Sequence, residues 1–366
     1  MSFTQRLKQA FLVLLRQGLW GRKEVEQTGF PLTPEEWTQI YDMSVKQTVQ
    51  GIVYDGIGLL PKEQQPPRSL LVQWTIAIDQ LERMNRQQNA LLGVLPQLFG
   101  QEPAIPYQVL KGQGIAAFYR KPLHRLCGDI DLYFGNEEQT EKANQRIEAL
   151  GAKVERGHYK HSHVVYKRMQ IENHQFFLPV RGKKDVKELE RHLRSVALPA
   201  TEEVKYVEGT RLIMPSADFN ALFLTAHAMN HFLYETIRLR NMCDWALFLK
   251  AEQQHVNWKV FYQWCDKMHY TRFVNSLNYI CHHYLGVELC SELREDEYHA
   301  GLILNDMWEG DTLYNKKHSS RMQFRIELAM NFIRSSWKYS KIYQRNAFVS
   351  LTSQGISMLL DKHPKV

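Results

Sequence analysis

The chain is 366 residues long, 44% hydrophobic and 23% charged, with a formal net charge of +7 and a pI near 9.0. That length supports a large core in two or three domains, and the composition excludes a low-complexity chain. The charge suits either a mildly basic protein or one with an anionic partner, such as a nucleotide, a phosphorylated sugar or RNA, and the scattered basic residues do not choose between them.

The N-terminal region, residues 1–100, reads as helices. Phe3, Leu7, Phe11 and Leu14 recur at helical spacing, and Thr33-Pro34-Glu35-Glu36 is a helix-opening signal after the turn at Pro31. The run Ala10–Leu15 is too short for a signal-peptide core and meets Arg16 at once, and no apolar stretch approaches a membrane span. A cytoplasmic protein is expected. A long helix is predicted from about Leu70 to Leu95, stopped by Pro96, with Ile78, Leu81, Met84 and Leu91 near one face and enough polar content to lie on a sheet.

Residues 101–215 carry the strands: Tyr107–Leu110, Asp129–Phe134, Ala152–Glu155, His163–Lys167 and Gln170–Phe176, with a helix from Glu137 to Leu150 stopped by Gly151. The last two strands read as a hairpin turning at Arg168–Met169. Residues 216–366 read as helices again, at Ala217–Leu233, Ile237–Glu252, Trp258–His269, Thr271–Leu285 and from about Arg321 onward. The expected class is α+β: a small mixed sheet flanked by N- and C-terminal helical regions.

Chemistry concentrates between Tyr107 and Phe134. Asp129 and Asp131 alternate with apolar Ile130 and Leu132, so both acids fall on one face of a strand whose other face is buried. Adjacent carboxylates repel and stay ionised together when a cation or strong donors compensate them, and Mg²⁺ favours such oxygen ledges while leaving positions for substrate phosphates. Glu172 is the best third carboxylate, on a strand where it shares a face with His174. Lys111-Gly112-Gln113-Gly114 follows one strand and opens a helix, a turn suited to close backbone approach by phosphate. The same residues half-match a dinucleotide fingerprint, which is rejected because two acids within a strand followed by a hairpin do not fit it. Arg125 can reach phosphates or pair with the acids.

Five cysteines without C-x-x-C spacing argue against a disulfide framework or a zinc site, and His158, His161, His163 and His174 lack ligand spacing with them. His227 and His231 lie one helical turn apart, with Ala228 where a metalloprotease needs Glu; they and His174 are candidates for the acceptor side of a cleft. Arg240 and Asp244 read as an i,i+4 ion pair.

The pattern Leu110-Lys111-Gly112, Tyr119, Pro122, Arg125 and Asp129–Phe134, with Ile171-Glu172 and His174 following, resembles a poorly characterised bacterial nucleotidyltransferase family of the DNA polymerase β superfamily. The helical segment around His227, Arg240 and Asp244 is similar to that family's C-terminal region, so the resemblance spans most of the chain. It implies a minimal nucleotidyltransferase core at residues 101–215. Asp129 and Asp131 would hold two Mg²⁺ ions (or Mn²⁺), with Glu172 on the catalytic one, and Lys111, Gly112 and Gly114 would hold an NTP triphosphate. It departs from the superfamily pattern at Gln113, where a hydroxyl or a second glycine is usual. Transfer of an NMP group to a hydroxyl with release of pyrophosphate is expected, the acceptor being tRNA, a sugar phosphate, a small molecule or a protein. A toxin-type enzyme that modifies tRNA, or a non-catalytic nucleotide- or partner-binding module, are the alternatives.

Overall fold

Thr33 caps its helix as the sequence signal requires: its side chain accepts from the Glu36 amide, and Glu36 accepts in return from the Thr33 amide at 2.8 Å. A computed structural model describes residues 4–26, 28–180, 184–197, 203–310 and 334–345. Helices α1 (Gln5–Trp20), α2 (Pro34–Lys46), α3 (Gln50–Ile57) and the 33-residue α4 (Arg68–Gly100) precede the sheet. α4 runs straight through Pro96, where a stop is predicted. A mid-helix proline costs about 3 kcal/mol. Leu95 and Phe99, each 1% exposed, bury against the sheet on either side of it, and each burial contributes roughly 1.5–3 kcal/mol.

The sheet has the strand order β1-β2-β5-β4-β3, built from β1 (Gln108–Leu110), β2 (Ile130–Tyr133), β3 (Lys153–Glu155), β4 (His161–Tyr166) and β5 (Met169–His174). Only β2 and β5 run parallel. α5 (Gly112–Ala116) is a single turn after β1, and α6 (Glu137–Ala149) follows β2. Val109, Ile130, Leu132, Val164 and Ile171 form the apolar face, packed on Leu91, Leu92 and Leu95 of α4 and Ala143 and Ile147 of α6. Alternation therefore sends Asp131, Glu172 and His174 to the opposite face.

The β4–β5 hairpin turns at Lys167–Arg168, both at positive φ (47° and 67°), one residue earlier than the sequence suggested. Among the elements that went unread in the sequence are α7 (Lys184–Ala197) and a hairpin of β6 (Glu203–Val207) and β7 (Thr210–Met214).

Beyond these lie α8 (Ala217–Tyr234), α9 (Leu239–Glu252), α10 (Trp258–Met268), α11 (Thr271–His283) and α12 (Glu297–Glu309). The helix expected from about Arg321 falls mostly outside the described residues. The N- and C-terminal helices share one core: Phe11 meets Trp308 edge-on at 5.8 Å, and Gln47 donates to the Met307 carbonyl at 2.8 Å. α8 reaches across to the polar side of the sheet, where Phe177 meets Tyr133 in a tilted contact at 4.1 Å and Phe219 edge-on at 4.6 Å. Among the described residues no helix is long and apolar enough to cross a membrane.

Candidate active site

Strand register assembles the acids. Asp131 of β2 lies directly beside Glu172 of β5, and Asp129 immediately precedes β2. On the other side of β5, His163 is opposite Glu172 and His161 is opposite His174. Lys111 closes β1 at φ 27°, a region that costs a side-chain-bearing residue of order 1–3 kcal/mol, and its amine sits 2.9 Å from Asp131 Oδ1. His174 Nε2 is 2.8 Å from the same oxygen and 3.4 Å from Glu172 Oε2.

These contacts divide the three carboxyls. Burial alone would raise Asp131, 2% exposed, but Lys111 and His174 hold it below the usual range. Burial likewise works against Glu172, and His174, His161 and Lys111 outweigh it, keeping that carboxyl far below the ordinary value. Asp129 goes the other way: burial and then the charges of Asp131 and Glu172 push it up, with Lys111 offsetting only part. Burial opposes the charge on Lys111, yet Asp131, Asp129 and Glu172 raise it overall. The site thus carries more negative charge than its lysine balances.

A second group faces these acids. Burial and the neighbouring Lys111 lower the Lys160 amine, while Glu172 and Asp131 pull against them. His227 is lowered well below the usual imidazole value by burial, by Lys111, and by His231 and Lys160. Phe219, Phe223, His227 and His231 recur every four residues along α8, and the His227 and His231 rings meet at 4.6 Å. A cavity of about 80 Å³ is lined by Lys160, Phe177, His227, Asn230, Tyr270 and Tyr343.

A family model described as an uncharacterised nucleotidyltransferase matches residues 33–286. The chain belongs to that family. Among solved structures, an antigenic nucleotidyltransferase-like protein from Paracoccidioides brasiliensis is similar at 12% identity and a TM-score of 0.33, over 56% of this chain and 95% of that one. No curated protein matches.

Within this family member, several sequence expectations change. Arg125 does not face the acids. It is 5% exposed and forks onto Asp244 of α9, with Nε–Oδ1 and Nη2–Oδ2 both at 2.8 Å, and the Tyr119 hydroxyl donates to Asp244 at 2.6 Å. Asp244 is therefore taken by Arg125 rather than by Arg240, whose Nη1 donates to the Leu126 carbonyl at 2.9 Å. The Gln113 side chain also turns away from any phosphate. It is 3% exposed and donates to Gln88 at 2.8 Å and Asn85 at 3.2 Å on α4. Asn85 in turn donates to the carbonyls of Leu123 and Arg125, and Gln88 to that of Gly128. This amide relay ties α4 to the Lys111 turn and to the loop that delivers Asp129.

Gly112 does need its glycine, at φ 44°, and a side chain there would meet only the Asp129 carbonyl, at 3.5 Å. At Gly114 a Cβ would lie 2.3 Å from Met214 Sδ, the end of a flexible side chain that can shift to make room. The helix α5 that Gly112 opens is one buried turn and carries little dipole. His174, expected on the acceptor side, is fully buried against Asp131 and supports the acids instead. Lys160 and His161 went unassigned in the sequence; the only signal was the alternation of His161 and His163 along β4.

Proposed function

We propose that this protein is a divalent-metal-dependent nucleotidyltransferase that moves an NMP group from an NTP to an acceptor hydroxyl. The observation that carries the reading is the pairing of Asp131 with Glu172 on adjoining parallel strands, with Asp129 beside them and Lys111 Nζ 2.9 Å away. The donor set fits Mg²⁺ or Mn²⁺: three clustered carboxylates, one of them raised by burial and then by its neighbours' charge, are hard oxygen ligands whose repulsion a divalent ion relieves. Asp129, Asp131 and Glu172 would hold it. When bound, such an ion supplies Lewis acidity toward phosphoryl oxygens.

The chain's own groups do the rest. Lys111, with its charge maintained by three acids, binds the triphosphate where the open backbone at Gly112 lets it approach. Glu172 stays ionised because the His174 hydrogen bond and the Lys111 charge outweigh its burial. Lys160, His227 and His231 form the facing wall, the side from which the acceptor enters. The acceptor oxygen forms a bond to the α-phosphorus, the bond from that phosphorus to the bridging oxygen breaks, and pyrophosphate leaves.

Pyrophosphate release from ATP, GTP, CTP and UTP, measured against tRNA, sugar phosphates, small hydroxyl metabolites and proteins, tests this. Wild type turns over at least one combination and Asp129→Ala none. Equal NTP consumption by the two proteins would refute it. A second reading, a non-catalytic nucleotide-binding module, draws on the internal neutralisation of Asp131 by Lys111 and His174; nucleotide binding without turnover across all acceptors would favour it.

A further inference from the structure

The imidazoles of His158, His161, His163 and His174 crowd one wall of this site, and two of them point a ring nitrogen at the same carboxylate. His161, Glu172 and His174 are 6%, 7% and 0% exposed, and one ligand atom from each lies within 4.8 Å of the other two. Glu172 Oε2 is 3.4 Å from both His161 Nδ1 and His174 Nε2. A tetrahedral zinc site with bonds of about 2.0–2.1 Å separates its ligands by roughly 3.3 Å, close to the two 3.4 Å spacings to Glu172.

Tautomers follow from the partners. His174 Nδ1 is 3.2 Å from the Phe176 carbonyl, which can only accept, so Nδ1 carries hydrogen; without an ion Nε2 must also carry one to donate to Asp131, and with an ion the neutral ring gives its Nε2 lone pair to the metal. The Nδ1 contact is the outer-shell contact that orients metal-bound histidines. His161 Nε2 lies 3.1 Å from His163 Nε2, and His161 Nδ1 is buried without a hydrogen-bond partner, aimed at Glu172. A proton on His174 would satisfy that ring and leave His161 Nδ1 unmatched. A cation between the three satisfies both nitrogens and the carboxylate together.

We propose that His161, Glu172 and His174 form a nitrogen-rich metal site for a divalent ion of the Zn²⁺ class, beside the oxygen-only ledge of Asp129 and Asp131. Imidazole ligands favour Zn²⁺ and its transition-metal neighbours over Mg²⁺. The site shares Glu172 with the nucleotidyl-transfer reading but goes beyond it, and metal binding here does not require that transfer occurs.

The test titrates chelator-stripped full-length protein with Zn²⁺ in excess Mg²⁺ by calorimetry, and measures retained zinc by mass spectrometry after dialysis. Wild type retains about one equivalent held tightly. His161→Asn loses more than the roughly 10–100-fold in affinity typical of an outer-shell change, since it removes a ligand. Asp129→Asn and Glu295→Gln keep wild-type zinc binding, the latter excluding the exposed trio of His282, His283 and Glu295. His174→Asn repeats the loss, and if it fails to fold, His161→Asn with an unchanged circular dichroism spectrum decides alone. Displacement of zinc by Mg²⁺, or wild-type zinc affinity in folded His161→Asn, overturns the proposal. Pyrophosphate release in the same preparations reports separately on transfer, because Asp129→Asn removes only that activity.

Discussion

Replacing Asp244 by alanine strands a buried guanidinium. Arg125 is 5% exposed, and both its fork contacts, at 2.8 Å, go to the Asp244 carboxylate. Removing one partner of a buried pair costs about 3–5 kcal/mol, because the other charge stays desolvated. The Tyr119 hydroxyl loses its 2.6 Å acceptor too, so the upper half of that range is expected. With a urea slope of roughly 3 kcal/mol/M, the unfolding midpoint falls by about 1–2 M. Arg125→Met/Asp244→Leu, which removes both charges, returns to within about 1 kcal/mol of wild type. Burial alone would raise the Asp244 carboxyl, but Arg125, Arg240 and Tyr119 hold it below its ordinary value. The pair's stabilisation is therefore complete above an unfolded value of about 3.9 and is lost as pH falls further. Urea titrations of the single and double variants provide the assay. A midpoint shift for Asp244→Ala worth less than about 1 kcal/mol, or strictly additive losses in the double variant, would refute a buried Arg125–Asp244 pair.

Gln113→Ala leaves the buried amide oxygens of Asn85 and Gln88 without their donor and should lower stability by about 1–3 kcal/mol in thermal unfolding, although the residue lies in the turn read as phosphate-binding. Asp129→Asn should raise stability at neutral pH by on the order of 0.5–2 kcal/mol while abolishing transfer, since it removes repulsion from Asp131 and Glu172. Its carboxyl is raised in the folded protein, so wild type loses that contribution as pH climbs through the folded value, and the gap between the proteins should close in acid; denaturation from pH 4 to 8 measures it, with the pH range taken from about the ordinary carboxylate value upward.

The acids were legible because strand periodicity is local. Asp129 and Asp131 alternate with Ile130 and Leu132, and Glu172 with Ile171 and Asn173, so the face of each could be read from its immediate neighbours. The histidine wall was not. A turn at Arg168–Met169 would set Val165 opposite Glu172 and His163 opposite His174. The observed turn at Lys167–Arg168 puts His163 opposite Glu172 and His161 opposite His174. That one-residue difference hides behind two non-glycine residues at positive φ, which carry no turn signature. Arg125 and Gln113 were misread for a different reason. Their partners lie 119 residues away in Asp244 and 25 to 28 away in Gln88 and Asn85, so nothing near them in sequence announces that their polar groups are already engaged. Pro96 follows the same logic: its local breaking tendency loses to tertiary burial of Leu95 and Phe99.

In the proposed function, Asp129, Asp131 and Glu172 act together as a divalent-ion ledge beside Lys111. Calorimetric binding of an NTP to wild type and Asp129→Ala, each with and without Mg²⁺, tests it most directly. Mg²⁺ is expected to tighten nucleotide binding to wild type by tenfold or more, about 1.4 kcal/mol, and Asp129→Ala to lose this gain while remaining folded. Nucleotide affinity indifferent to Mg²⁺, or the same Mg²⁺ gain in Asp129→Ala, would contradict it.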